Sequence, residues 1–162
     1  MKHALPYRPS FNFDRTPQEH RDMFTSWARE DRAFFAAGAC HILADLFVQL
    51  HLHEGYHLVF IKPAKGFPGS HVFASNGDWA FDHNGWTKEK TLLLLTEQAY
   101  TKKYPGWTYQ KIDVKVYMTA LEDLCKENNH RLPWQFAHVP WERAYAYIKQ
   151  FPDLPPQKSS AR

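Results

Sequence analysis

The sequence predicts an α+β domain, and three observations lead to it. Thr16-Pro17-Gln18-Glu19 opens a helical segment: Thr16 is the cap, Pro17 lies in the first turn and Glu19 completes a capping box. Ile42, Leu43, Leu46, Phe47 and Leu50 recur at helical spacing. Asn76-Gly77 divides two short strand-like runs, and this dipeptide is the strongest short hairpin signal because a type I′ turn needs positive φ at both positions. Helices come first, then a small antiparallel sheet, then helices again.

The elements follow in order. Residues 1–15, with Pro6 and Pro9, read as an extended arm. The first helix is expected from the Thr16 cap to Phe35, and a second from Cys40 to Leu52, closed by Gly55. His57 to Lys62 reads as a buried strand, and the Pro- and Gly-containing stretch from Lys62 to Ser70 as a loop. Ser70 to Ser75 and Asp78 to Asp82 form the hairpin arms. Thr87 is expected to cap a helix running to Lys103, which Tyr104-Pro105-Gly106 breaks. A short strand over Tyr109 to Val116 and helices over Tyr117 to Asn128 and Pro140 to Gln150 complete a single domain, residues 1–154. Residues 155–162 read as a disordered tail.

Composition excludes several classes. The 162 residues allow one domain with a substantial core, and an aromatic content of 16% argues against a disordered chain. Net charge is only +3, and lysines and arginines are dispersed, so no nucleic-acid partner is expected. No apolar run approaches the roughly 18 residues of a membrane span. The N-terminus, MKHALPYRPSFNFDR, has no apolar signal core, so the expected location is cytoplasmic and the expected state of Cys40 and Cys125 is the free thiol.

Cys40 draws attention because Ala36-Ala37-Gly38-Ala39 precedes it and supplies no capping side chain. An uncapped helix start leaves amides free to stabilise an anion, on sulfur or on a tetrahedral intermediate. A nucleophilic cysteine also needs a base, and the base an orienter. With Asn76 and Gly77 as turn residues, Ser75 pairs with Asp78, Ala74 with Trp79, Phe73 with Ala80, Val72 with Phe81 and His71 with Asp82. Directly opposed side chains share a face with Cβ atoms about 4.5–5.5 Å apart, which puts a carboxylate beside a histidine. Val72, Ala74, Trp79 and Phe81 fall on the other face and suit a core. A slip of the turn would set His71 against His83 or Asn84 and weaken the pairing.

The runs GACHILA, GYHLV and SHVFASNGDWAFDHNGWT resemble Cys–His–Asp proteins of the papain-like superfamily, closest in layout to the transglutaminase-like and arylamine acetyltransferase branches. The resemblance covers Gly38 to Thr87. It implies a nucleophile-bearing helix packed on a small antiparallel sheet, with Cys40 as nucleophile, His71 as general base and acid, and Asp82 as orienter. It implies acyl transfer at an amide or thioester, as in a peptidase, deamidase or transglutaminase-like enzyme, on a protein or peptide substrate and with no cofactor. His41, Asn84 and Trp86 are substrate-binding candidates, although the helical spacing turns His41 away from the nucleophile. Aromatics around Trp86 and Trp107 are expected to hold a protein substrate, and the Lys62–Gly69 loop to act as a flap. Cys125 is expected to be buried and inert.

Two alternatives stand beside this reading. One is a non-catalytic papain-like protein-binding module, because no side chain is assigned as a second oxyanion donor. The other is a zinc peptidase, because His53-Glu54-Gly55-Tyr56-His57 matches HExxH. Gly55 lies mid-motif and a strand is expected from His57, so a shared helix face for the two histidines is not expected.

Overall fold

In the computed structural model, which describes residues 1–157, one antiparallel sheet holds five strands in the order β4-β3-β2-β1-β5. They are β1 (His57–Pro63), β2 (His71–Ser75), β3 (Trp79–Asp82), β4 (Gly85–Lys88) and β5 (Tyr109–Val114). Both sheet faces are covered, which explains the continuous apolar run in β1. Leu58 and Phe60 face one core with Val72, Ala74, Phe81 and Trp86; α4 (Cys40–Leu50) fills it with Ile42, Leu43, Phe47 and Val48. Val59 and Ile61 face the other with Phe73, Ala80 and Trp107, under Leu92 and Tyr100 of α5 (Glu89–Lys103). Flanking helices α6 (Ala120–Asn128) and α7 (Trp141–Ile148) add Leu121, Leu124, Cys125, Ala144, Tyr147 and Ile148 to the α4 side. Of the expected tail 155–162, residues 158–162 lie outside the described residues.

The α+β layout agrees with the sequence, and the differences have local causes. The single helix expected from Thr16 to Phe35 is three: α1 (Pro17–Arg21), α2 (Met23–Trp27) and α3 (Asp31–Ala36). The capping box of α1 forms as expected. Asp22 ends α1 by leaving helical geometry, because its carboxylate accepts from Phe24 N at 2.9 Å and Thr25 Oγ1 at 2.7 Å and so caps α2 instead. Arg143 on α7 collects the carbonyls freed at the next break, donating to Trp27 O and Arg29 O, each at 2.6 Å. Thr87 does not cap α5. It lies in β4 opposite Ala80, and α5 starts at Glu89.

The hairpin register also differs. The observed pairs are Ala74↔Phe81 and Ser75↔Ala80, a shift of two residues. Asn76 is the first residue of the turn rather than its second: its Oδ1 accepts from Asp78 N at 3.0 Å and Trp79 N at 2.8 Å, and its own N–H donates to Trp79 O. This Asx turn places Gly77, at φ +93°, and Asp78 at the centre. A shift of two preserves the faces, because side chains alternate with period two. Val72, Ala74 and Phe81 are therefore core residues as expected, and His71 and Asp82 become diagonal neighbours rather than direct partners.

The N-terminal arm is part of the structure. Ala4 bridges to Gly85, Leu5 N donates to Asn84 O at 2.8 Å, and Trp86 N donates to His3 O at 2.9 Å. A short 3-10 turn, Ser10–Phe13, then buries Phe13 against His83. Gly85 makes this docking possible: its φ is +82°, and a Cβ there would meet His3 O at 2.8 Å and the Phe151 ring at 2.6 Å. Gly85→Ala should cost about 2–3 kcal/mol, through strain at positive φ and collision with the arm. The denaturant midpoint should fall accordingly; an unchanged midpoint would refute this account of the arm.

Candidate active site

Cys40 is the first residue of α4, as expected. Its N-cap, Ala39, offers no side-chain acceptor, and Gly38 before it has φ +110°. Among the described residues the amides of Cys40 and His41 donate to no backbone carbonyl. They are two free donors at the positive end of an eleven-residue helix. The thiol is 8% exposed and borders a cleft of about 810 Å³.

His71 opens β2 and Asp82 closes β3. Despite the shifted register, His71 Nε2–H donates to Asp82 Oδ2 at 3.0 Å, because the diagonal of an antiparallel pair is within reach of a long side chain. Asp82 Oδ1 accepts from Asn84 N at 2.8 Å. His83 Nδ1 lies 3.6 Å from Asp82 Oδ2, while its Nε2–H donates to Arg8 O at 2.8 Å. Burial would raise the Asp82 carboxyl pKa, but His83 and His71 hold it below its ordinary value, so the group stays ionised.

With Nε2 committed to Asp82, the other ring nitrogen of His71 is left over. Nδ1 is buried and makes no hydrogen bond among the described residues. Burial would depress the imidazole, yet the bond to Asp82 and the neighbouring Cys40 sulfur push it up to about 10. Burial would raise the Cys40 thiol, yet His41 and His71 bring it well below its ordinary value. Thiol and imidazole perturb each other, although no hydrogen bond between them is formed among the described residues. The arrangement favours a thiolate beside an imidazolium.

His41 does not turn away from the nucleophile. It is 1% exposed, lines the cleft beside Cys40, and its Nε2–H donates to Arg131 O at 2.7 Å. Burial lowers its pKa, but Cys125 and Cys40 raise it to about 9. Cys125 is buried on α6, as expected. Asn84 and Trp86 lie outside the cleft lining. Asn84 Oδ1 accepts from Arg8 N at 3.0 Å and Arg32 Nη2 at 2.7 Å, so its amide braces the arm. Trp86 is buried against Phe47 and Phe81, with Nε1–H donating to Pro152 O at 2.7 Å. Trp107 is buried too, stacked on Tyr100. The aromatic residue exposed at the cleft is Trp134, which sequence reasoning passed over. Gly69 and Ser70, at the end of the expected flap, do line it.

Among the described residues, one group could gather around a cation: His71, Asp82 and His83, whose ligand atoms lie within 4.8 Å of one another. A cation there would take the carboxylate oxygen that His71 now uses. The HExxH motif is not on one helix. His53 and Glu54 lie in a 3-10 turn, Gly55 is left-handed, and His57 is on β1 with its Nε2 bonded to Asp113 at 2.9 Å.

The role of Asn84 is testable by stability. Asn84→Ala removes the buried acceptor for Arg8 N and Arg32, leaving two part-buried donors unmatched, and should cost roughly 1–3 kcal/mol. A variant of native stability would return Asn84 to the list of substrate-binding candidates.

Comparison with protein-family models, curated proteins and solved structures gives no match, so the site is read from its own geometry.

Proposed function

We propose that this chain is a cysteine-dependent acyl-transfer enzyme with a papain-like arrangement, acting on an amide or thioester through Cys40, His71 and Asp82. The observation that carries the reading is the His71–Asp82 bond, which leaves a buried, unpartnered Nδ1 on the imidazole that perturbs a thiol at an uncapped helix start. Support also comes from the layout: a nucleophile helix packed on an antiparallel sheet that supplies the histidine and the carboxylate in that chain order.

The chemistry follows from these positions. The Cys40 thiolate attacks the carbonyl carbon, forming a C–S bond while the carbonyl π pair moves onto oxygen. The Cys40 and His41 amides face that oxyanion, which supplies the second donor the sequence left unassigned. On collapse the C=O re-forms, the C–N or C–S bond to the leaving group breaks, and His71 gives its proton to the departing amine or thiolate. Water, or an amine acceptor, then attacks the thioester and surrenders a proton to His71; the Cys40 thiolate leaves. Asp82 holds the ring and stabilises the imidazolium throughout.

Alkylation by iodoacetamide, read by mass spectrometry from pH 5 to 10, tests the pair. In the parent, Cys40 should be reactive at pH 6, because His41 and His71 hold its thiol pKa well below the ordinary value. In His71→Ala the acid limb should move toward the ordinary thiol value of about 8.5, lowering the rate at pH 6 roughly 10²-fold. Equal rates at pH 6 would sink the assignment. The sign for turnover is opposite at high pH: His71 must carry a proton for the leaving group, so acyl transfer should fall as pH rises through about 10.

Asp82→Asn tests the orienter. The new amide oxygen can still accept from Asn84 N, which turns its NH₂ toward His71 Nε2. That forces the proton onto Nδ1, the wrong nitrogen for a base facing sulfur. Reactivity at pH 6 should fall on the order of 10²-fold while the protein stays folded. A reactive Asp82→Asn protein would show that His71 needs no carboxylate.

A further inference from the structure

The cleft beside Cys40 has a pronounced charge imbalance. Arg15, Arg21, Arg131, His20 and His130 line it, against Asp14 as the one carboxylate of the lining. Among the described residues none of the three arginines has a carboxylate partner within ion-pair distance. This contrasts with Arg29 and Arg143, which pair with Glu19 and Asp31. Arg15 lies over the approach to the nucleophile: a Cβ on Gly38, two residues before Cys40, would sit 3.2 Å from its Nη1. Arg131 holds its place through Nη2–H to His20 O at 3.3 Å, while its Nη1 is buried with no acceptor. Burial and then Arg131 disfavour the Arg15 charge, with Cys40 and Glu19 acting the other way, and burial likewise disfavours the Arg131 charge, against the pull of Asp22. Glu19 and Asp22 act on these arginines only from beyond ion-pair distance, so an anion entering the cleft would find guanidinium donors not already committed to a carboxylate.

We infer that Arg15 and Arg131 form an anion-recognition site next to Cys40, so that the acyl substrate carries a carboxylate or phosphate group close to the bond that is cleaved. The inference rests on Cys40 being the nucleophile. Guanidinium pairs suit these groups because their planar N–H forks match two oxygens at once. His41 strengthens the case independently: it is 1% exposed in the same lining, and its Nδ1 has no hydrogen-bond partner among the described residues. Arg21, exposed on α1, extends the positive rim and draws anions inward.

The test compares iodoacetate, an anionic electrophile, with neutral iodoacetamide on the intact protein, with free cysteine measured alongside. Both react by one displacement, in which the sulfur–carbon bond forms and iodide leaves. The ratio of the iodoacetate rate to the iodoacetamide rate should exceed that of free cysteine by about tenfold or more, given the cations that line the same partly desolvated cleft. It should drop toward the free-cysteine value in Arg15→Gln and Arg131→Gln, and in 1 M salt, where screening acts over about 3 Å. Arg21→Gln, at an exposed position, should reduce it less and serves if either of the other variants fails to fold. A ratio equal to that of free cysteine, with His71-dependent reactivity toward iodoacetamide intact, overturns the anion site and leaves the nucleophile standing. A high ratio that persists in all the arginine variants also overturns it, because the imidazolium ions alone then account for the preference. A Cys40 inert to both reagents removes the nucleophile and this inference with it. Acetate and inorganic phosphate are then compared as protectants against iodoacetamide: stronger protection by acetate assigns a carboxylate substrate, stronger protection by phosphate a phosphoryl one, and protection by neither counts against the site.

Discussion

The carboxylate of Asp82 is buried, 3% exposed, and the fold around it is organised to keep it ionised. An isolated buried carboxylate takes up a proton or unfolds its surroundings, so each of its oxygens needs a partner. His71 and the Asn84 amide satisfy it directly, and His83 stands beside it. Those partners are themselves held. His83 is fixed by Arg8 O and the Phe13 ring, and Asn84 by Arg8 N and Arg32. Arg8 belongs to the N-terminal arm, which Tyr7 and Ser10 tie to Thr96 and Tyr100 on α5. The arm is therefore a support for the His71–Asp82 pair as well as a cover for the sheet edge. It ends at Asp14 and Arg15, which border the cleft.

The sequence made some of this legible and hid the rest for identifiable reasons. The uncapped start at Cys40 was readable because capping is local chemistry: Ala39 has no oxygen to offer. The sheet faces were readable because alternation survives a shift of two, which is why the His71–Asp82 contact was anticipated from a register that does not occur. The register itself was not readable, because Asn can act as a turn residue or, through its side chain, as the residue that opens an Asx turn, and the dipeptide Asn-Gly serves both. β4 was missed because Thr87 before a leucine-rich run reads as a cap, whereas pairing of Phe81 with Trp86 across the turn extends the strand past it. The long first helix was overextended because Asp22 counts as one tolerable polar residue in a periodicity argument, yet it competes for the backbone.

The site residues that were missed share one property: nothing local marks them. Arg15 and Arg131 are brought together by the packing of the arm and of the segment after α6 against the start of α4. No spacing rule connects them. His83 sits next to Asp82 in sequence, but its side chain comes beside the same carboxylate oxygen as His71 where the chain reverses at His83-Asn84. Conversely, Asn84 and Trp86 drew attention through neighbourhood to the triad, and neighbourhood along a strand end does not say which way a side chain turns. Both are absorbed by packing, one into the arm and one into the α4 core.

Taken together, the electrostatics around Cys40 point in one direction. A helix N-terminus, two histidines of raised basicity and two arginines share the Cys40 cleft or border it, while the buried Asp82 carboxylate lies behind His71 rather than in the cleft lining. Such a setting makes a thiolate abundant, but a thiolate that is strongly stabilised is also a weaker nucleophile and a better leaving group. Under the proposed function this balance would suit a thioester that must be made and then broken, because the same positive field that lowers the thiol pKa would help expel sulfur in the second half. It also explains the small residues ahead of the helix. Ala36, Ala37 and Gly38 line the cleft, and their small size would leave room for a substrate between Cys40 and the Arg15 side chain that lies against Gly38. An anionic substrate entering there would complete the ion pairing that the arginines lack in its absence, and would remove a cation's pull on the sulfur at the moment of attack. Substrate binding would thus raise the nucleophilicity of the thiolate it is about to meet.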